Sequence, residues 1–157
     1  MAAFVSTPPA SSPAPPAAAD TIGNDGWFPS MSIAATRQIL NVTTAIPDSR
    51  VRDAIVGAML AINRQLRPWK ASAAAASLAE VEQERIDGHG RYVELYERAV
   101  RAEAAAILAD LNPDLSATDS GRKREEGEEA PADHHRRIAT HCVRDILGKG
   151  RTKVRLI

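Results

Sequence analysis

The stretch PDSRVRDAIVGAMLAINRQL, residues 47–66, sets the architecture. Pro47 and Asp48 make a favourable helix start, and Val51, Ala54, Ile55, Ala58, Met59, Ile62 and Leu66 then recur at the three- and four-residue spacing of an amphipathic helix. Val56 and Leu60 fall on another side of the same helix, a smaller apolar strip that suits contact with a second neighbour. Pro68 has no N–H to give and crowds the preceding turn, so it is expected to end the helix.

Working outward, the helical reading continues on both sides. Upstream, Ser30 or Ser32 is an N-cap candidate for a short helix reaching about Leu40. Downstream, residues 71–84 are Ala-rich with Ser77 as a possible cap, giving a short helix or an ordered loop that breaks at the turn Asp87-Gly88-His89-Gly90. The apolar stripe returns from Arg91 to Leu111 as Tyr92, Leu95, Tyr96, Ala99, Val100, Ala106, Ile107 and Leu111, and Asn112-Pro113 closes it. A last helix starts at Pro131, turns Ile138, Ala139, Cys142, Val143, Ile146 and Leu147 inward, and stops at Gly148 and Gly150. The expected fold class is all-α, a small helical bundle spanning residues 27–147, with no strand inside it.

Three segments fall outside that bundle. Residues 1–26 read as a flexible Pro/Ala/Ser-rich arm with too little apolar bulk to offset the entropy of ordering it. Residues 112–130 mix turn formers, the triplet Arg122-Lys123-Arg124 and four nearby glutamates, the composition of a mobile, solvated loop. Residues 148–157 change period: after Gly148, Lys149 and Gly150, the side chains of Arg151, Lys153 and Arg155 point one way, and those of Thr152, Val154 and Leu156 the other, before the terminal Ile157. A lone strand leaves its backbone groups unpaired, so this segment is expected to be an extended docking arm that adds to a partner. Trp27-Phe28 has two readings, a cap on the domain's own core or an anchor for a pocket on a neighbour.

Composition narrows the chemistry. Twenty Lys plus Arg balance twenty Asp plus Glu, so no overall field draws the chain to nucleic acid or an acidic membrane, and any contact with DNA must be local. The alternating prolines of the first nineteen residues and the lack of a basic start argue against a signal peptide, and no run is apolar enough to span a bilayer; the chain reads as soluble. One cysteine, Cys142, suits synthesis in a reducing cytoplasm. His134, His135, His141 and Cys142 carry ligand-type side chains, but a structural zinc site needs paired ligands from two segments, and the second pair is missing. His141 and Cys142 are consecutive on a helix and do not face each other, so they make no nucleophile and base. No phosphate-binding glycine motif is present, and no cofactor or enzymatic activity is expected.

Several strings in this order resemble the phage head completion protein family, the gpL type of contractile-tailed temperate phages. They are Trp27-Phe28-Pro29; Val51-Arg52-Asp53-Ala54-Ile55 with Gly57, Met59, Asn63 and Leu66; Tyr96-Glu97-Arg98-Ala99-Val100, the most specific; and Gly148-Lys149 with Arg151 ahead of a terminal isoleucine. Together they cover residues 27–111 and 134–157. The resemblance implies a virion structural protein, made in the bacterial host cytoplasm. It would bind below the portal protein after DNA packaging, join copies of itself in a ring expected to be a dodecamer, and carry the downstream neck or tail terminator protein at the head-tail neck. It further implies that residues 148–157 dock on the portal or a neighbouring subunit, with non-specific contact to DNA in the channel. The alternative from another class is a small helical DNA-binding protein using the basic C-terminal tail.

Overall fold

The computed structural model describes residues 20–111 and 131–150. Their order is β1 (Thr21–Ile22), β2 (Met31–Ser32), α1 (Ile33–Leu40), α2 (Asp48–Ser72), a 3-10 turn (Leu78–Glu80), β3 (Arg85–Ile86), β4 (His89–Gly90), α3 (Arg91–Leu111) and α4 (Pro131–Ile146). The fold is mostly helical, but it is not purely so. β1 pairs antiparallel with β2 (Ile22 opposite Met31), and β3 with β4 (Ile86 opposite His89). Strands of two residues are too short to show a period of two in sequence.

The first correction concerns residues 20–26, assigned above to the flexible arm. They belong to the domain. Ile22 is buried, and Asp20 accepts from Ala34 N–H (2.7 Å) and from the Ser32 hydroxyl (2.6 Å), placing a carboxylate at the start of α1. Ser32 is the N-cap, its Oγ accepting from Ala35 N–H at 3.0 Å. α1 ends in a Schellman turn in which Asn41 takes the left-handed conformation and Val42 N–H reaches the Arg37 carbonyl at 2.9 Å. Arg37 then clamps the connection to α2, donating to the Ile46 carbonyl (2.6 Å) and pairing with Asp48 (3.4 Å).

All seven stripe residues of α2 are buried, while Leu60 of the second strip is exposed. Pro68 does not stop this helix, which runs on to Ser72. Proline removes the partner of one carbonyl, but the turn beyond it is anchored by tertiary contacts of Trp69 and Lys70. The Ala-rich segment after α2 holds only the short 3-10 turn, with Ser77 at its N-cap position, and the β3–β4 hairpin follows where a turn was expected. Asp87 and Gly88, with φ of 51° and 77°, make the two-residue turn that matches strand twist. The Gln83 amide joins these pieces to α3, donating to the Leu78 carbonyl (2.9 Å) and accepting from Tyr92 N–H (2.6 Å). A Cβ at Gly90 would meet that amide at 2.7 Å.

α3 is the middle helix, packed mainly against α4 and α2. Its buried residues, Tyr96, Ala99, Val100, Ala102, Ala104, Ala106 and Leu108, cover roughly two thirds of its circumference at 100° per residue. That is why a single stripe omitted Ala102, Ala104 and Leu108. Leu111, expected inward, is 54% exposed at the end of the helix. α4 buries Ala132, Ala139, Cys142, Val143 and Ile146, with Ile138 and Leu147 at its margin.

Candidate functional site

The end of the domain where α2 finishes and α3 begins carries the densest specific chemistry. Asn24-Asp25-Gly26 forms a turn in which the Asp25 carboxylate accepts from Trp27 N–H (3.0 Å) and Phe28 N–H (3.1 Å) and pairs with Lys70 Nζ (2.7 Å). Burial alone would raise the Asp25 pKa, but Lys70 and the two N–H groups outweigh it and hold the carboxyl below its usual 3.8. The turn drives both aromatic rings into the chain's own core, the first of the two positions read for Trp27-Phe28. Phe28 stacks on Tyr96 (4.8 Å between centroids, 13° between planes), and Trp27 meets Trp69 edge to face, as Trp69 meets Tyr92. Trp27 Nε1 donates to the Ala75 carbonyl at 2.9 Å, so its one polar atom is satisfied.

Beneath the rings lies a closed ring of side-chain hydrogen bonds. Asn24 Nδ2 donates to Tyr96 Oη (2.8 Å), Tyr96 Oη to Asn63 Oδ1 (2.7 Å), and Asn63 Nδ2 to Asn24 Oδ1 (2.9 Å). Burial raises the Tyr96 pKa, so the phenol keeps the proton it donates. This network ties the N-terminal turn, α2 and α3 together. Asn63 stood among the residues carrying the family resemblance, whereas Asn24 carried no signal beyond its place in an Asn-Asp-Gly turn.

Beside the rings, between the turn and α2, opens a groove of about 550 Å³. Trp27, Phe28 and Leu60 supply its apolar lining, and Arg64, Arg67 and Lys70 its cations. Lys70 Nζ stands 5.4 Å from the centres of both the Trp27 and Phe28 rings. Arg64 and Arg67 are exposed, and their side chains make no ion pair or hydrogen bond among the described residues. Sequence reasoning passed over this basic strip because the helix was read only for its apolar faces.

At the opposite terminus, α4 closes in a second Schellman turn. Gly148 (φ 66°) follows the helix, its N–H reaches the Asp145 carbonyl (3.3 Å), and Lys149 N–H reaches the Arg144 carbonyl (2.8 Å). Arg144 also donates to the Gly150 carbonyl. Gly148, Lys149 and Gly150 are exposed; Arg151, Thr152, Lys153, Val154, Arg155, Leu156 and Ile157 lie outside the described residues, as do residues 1–19 and 112–130. Of the ligand-type residues on α4, Cys142 is buried, His134 and His135 stand ring to ring, and burial together with His134 lowers the His135 pKa. Among the described residues no group of three or more His, Cys, Asp or Glu is placed to hold a metal ion, and no helix is long and apolar enough to cross a membrane.

Helices packed in part through alanine, a core cross-linked by aromatic rings and amides, and a cationic groove on the surface define a small, mostly helical domain. The chain belongs to the phage head completion protein (GPL) family, whose family model matches residues 22–157. It is a family of structural proteins of phage head completion. The match includes Ile22, which is buried in the core, and Asn24, which is bonded to Tyr96 and Asn63. The chain is also 30% identical, over 142 residues, to the head completion/stabilization protein of Escherichia phage P2, covering 88% of this chain and 84% of that one. No solved structure matches.

Proposed function

We propose that this head completion protein is a neck adaptor. It binds below the portal protein once DNA is packaged, joins copies of itself in a ring, expected to be dodecameric, and offers the platform for the downstream neck or tail terminator protein. Residues 148–157 are the docking arm: Gly148 and Gly150 act as the hinge, Val154 and Leu156 are buried on the portal or a neighbouring subunit, and Lys153 and Arg155 face the rim or the DNA channel. The observation that carries this reading is the closed turn at Gly148. It ends α4 before a segment whose residues alternate with a period of two, which suits strand addition and not helix.

Outside the virion the protein is expected to be a monomer, with the entropy of ordering its arm met only on the portal template. Labelling the chain with a small electron-dense tag and imaging virions tests the location. Density at the portal vertex is expected; density spread over the head facets contradicts the adaptor reading. The DNA-binding alternative predicts affinity for duplex DNA that falls steeply with salt, and mobility-shift assays across ionic strength separate the two.

A further inference from the structure

We propose that the groove between α2 and the Asp25–Phe28 turn receives an acidic segment of another protein, one in which an aliphatic or aromatic side chain is flanked by carboxylates. The charge balance points there first. Three cations, Arg64, Arg67 and Lys70, line the groove against one acid, Asp25, and that acid is already engaged by Lys70 and two backbone N–H groups. Two guanidinium groups beside the opening, those of Arg64 and Arg67, therefore have no partner among the described residues and suit bidentate pairing with carboxylates.

The apolar part of the lining selects the kind of partner. Leu60 is 67% exposed one helical turn from Arg64, and Trp27 and Phe28 form the wall beneath Lys70. A phosphate backbone gains nothing from an exposed leucine, whereas a peptide side chain buried there removes apolar surface from water. The wall is pre-organised, since the rings are locked by stacking and by the Asn24-Asn63-Tyr96 network, so binding need not order it.

This chain's own ends do not fit the groove. Residues 1–19 and 151–157 contain no acidic side chain. The glutamates of residues 112–130 lie within six residues of Pro131, a reach of about 21 Å at full extension. α4 starts beside the end of α3 at Asp110, whereas that end is roughly 28 Å of helix away from Tyr92, the residue that packs on Trp69 at the groove's end of the bundle. The occupant is therefore another protein, and the surface is distinct from the C-terminal arm, so the inference holds or fails independently of how that arm docks.

The test uses the full-length chain and a fluorescein-labelled peptide, acetyl-Glu-Asp-Leu-Phe-Asp-Glu-amide, read by anisotropy. Saturable binding is expected, weakened about tenfold by the double variant R64E/R67E and about threefold by Leu60→Ser, with melting temperature unchanged because all three residues are exposed. The control R52E/R98E alters exposed arginines outside the groove and should leave binding intact. No saturation, equal binding of the Gln/Asn version of the peptide, or equal loss in the control double variant would overturn the proposal. Tighter binding of a duplex DNA probe through Arg64 and Arg67 would overturn it in favour of nucleic acid.

Discussion

The two sides of α3 are held by different means. At its start, directional groups fix it: Tyr96 stacks on Phe28 and closes a ring of hydrogen bonds with Asn24 and Asn63. Against α4 small side chains take a large share of the contact, with Ala139 and Cys142 buried on α4 beside Val143 and Ile146, against a helix rich in buried alanine. The first region is sensitive to what is removed from it, the second to what is added.

Phe28→Ala should have the largest effect, because it empties a ring-sized space under Trp27 and Tyr96; a loss of about 3–5 kcal/mol in urea unfolding is expected. Ala139→Leu tests the other side. Overpacking there should cost about 1–3 kcal/mol, whereas a large side chain accepted at no cost would mean the helices are not in close contact. Tyr96→Phe keeps the stacked ring and removes only the hydroxyl, leaving Asn63 Oδ1 without its donor, for about 1–2 kcal/mol. If this variant equals wild type, shape and not hydrogen bonding holds that end.

The smallest effect is a pH dependence. The folded-state pKa of Asp25 lies below 3.8, so its contribution to stability is complete above that value and is lost as pH falls through the lower folded value. Because the Asp25 side chain is 42% exposed and its pairing with Lys70 is screened by solvent, the effect should stay under about 1 kcal/mol. The gap in stability between wild type and Asp25→Asn should be open at neutral pH and close under acid.

The same contrast explains how much could be read in advance. The buried face of α2 was legible to the residue, though not the helix's end, since one face of a helix against a core leaves a clean period in sequence. α3 was legible in extent but not in burial, because a middle helix hides alanines that no single stripe includes. Residues 20–26 were misassigned for a physical reason: Asp20, Asn24 and Asp25 join the domain through hydrogen bonds to partners remote in sequence, and polar composition alone looks like linker. Pro68 misled because its cost is local while Trp69 and Lys70 hold the helix from a distance. Of the candidate site, the aromatic pair and the glycine stop were visible; the cationic groove was not, since it exists only where α2 meets the Asp25 turn.

The central claim is that the folded domain and its C-terminal arm divide the work, the first supplying a rigid body and the second its attachment. Removing residues 151–157 and comparing the product with the full chain, by thermal melting and by native mass measurement with portal protein, tests it most directly. The account predicts a melting temperature within about 2 °C of the full chain and no portal-bound species. Portal complexes that still form at full occupancy would contradict it.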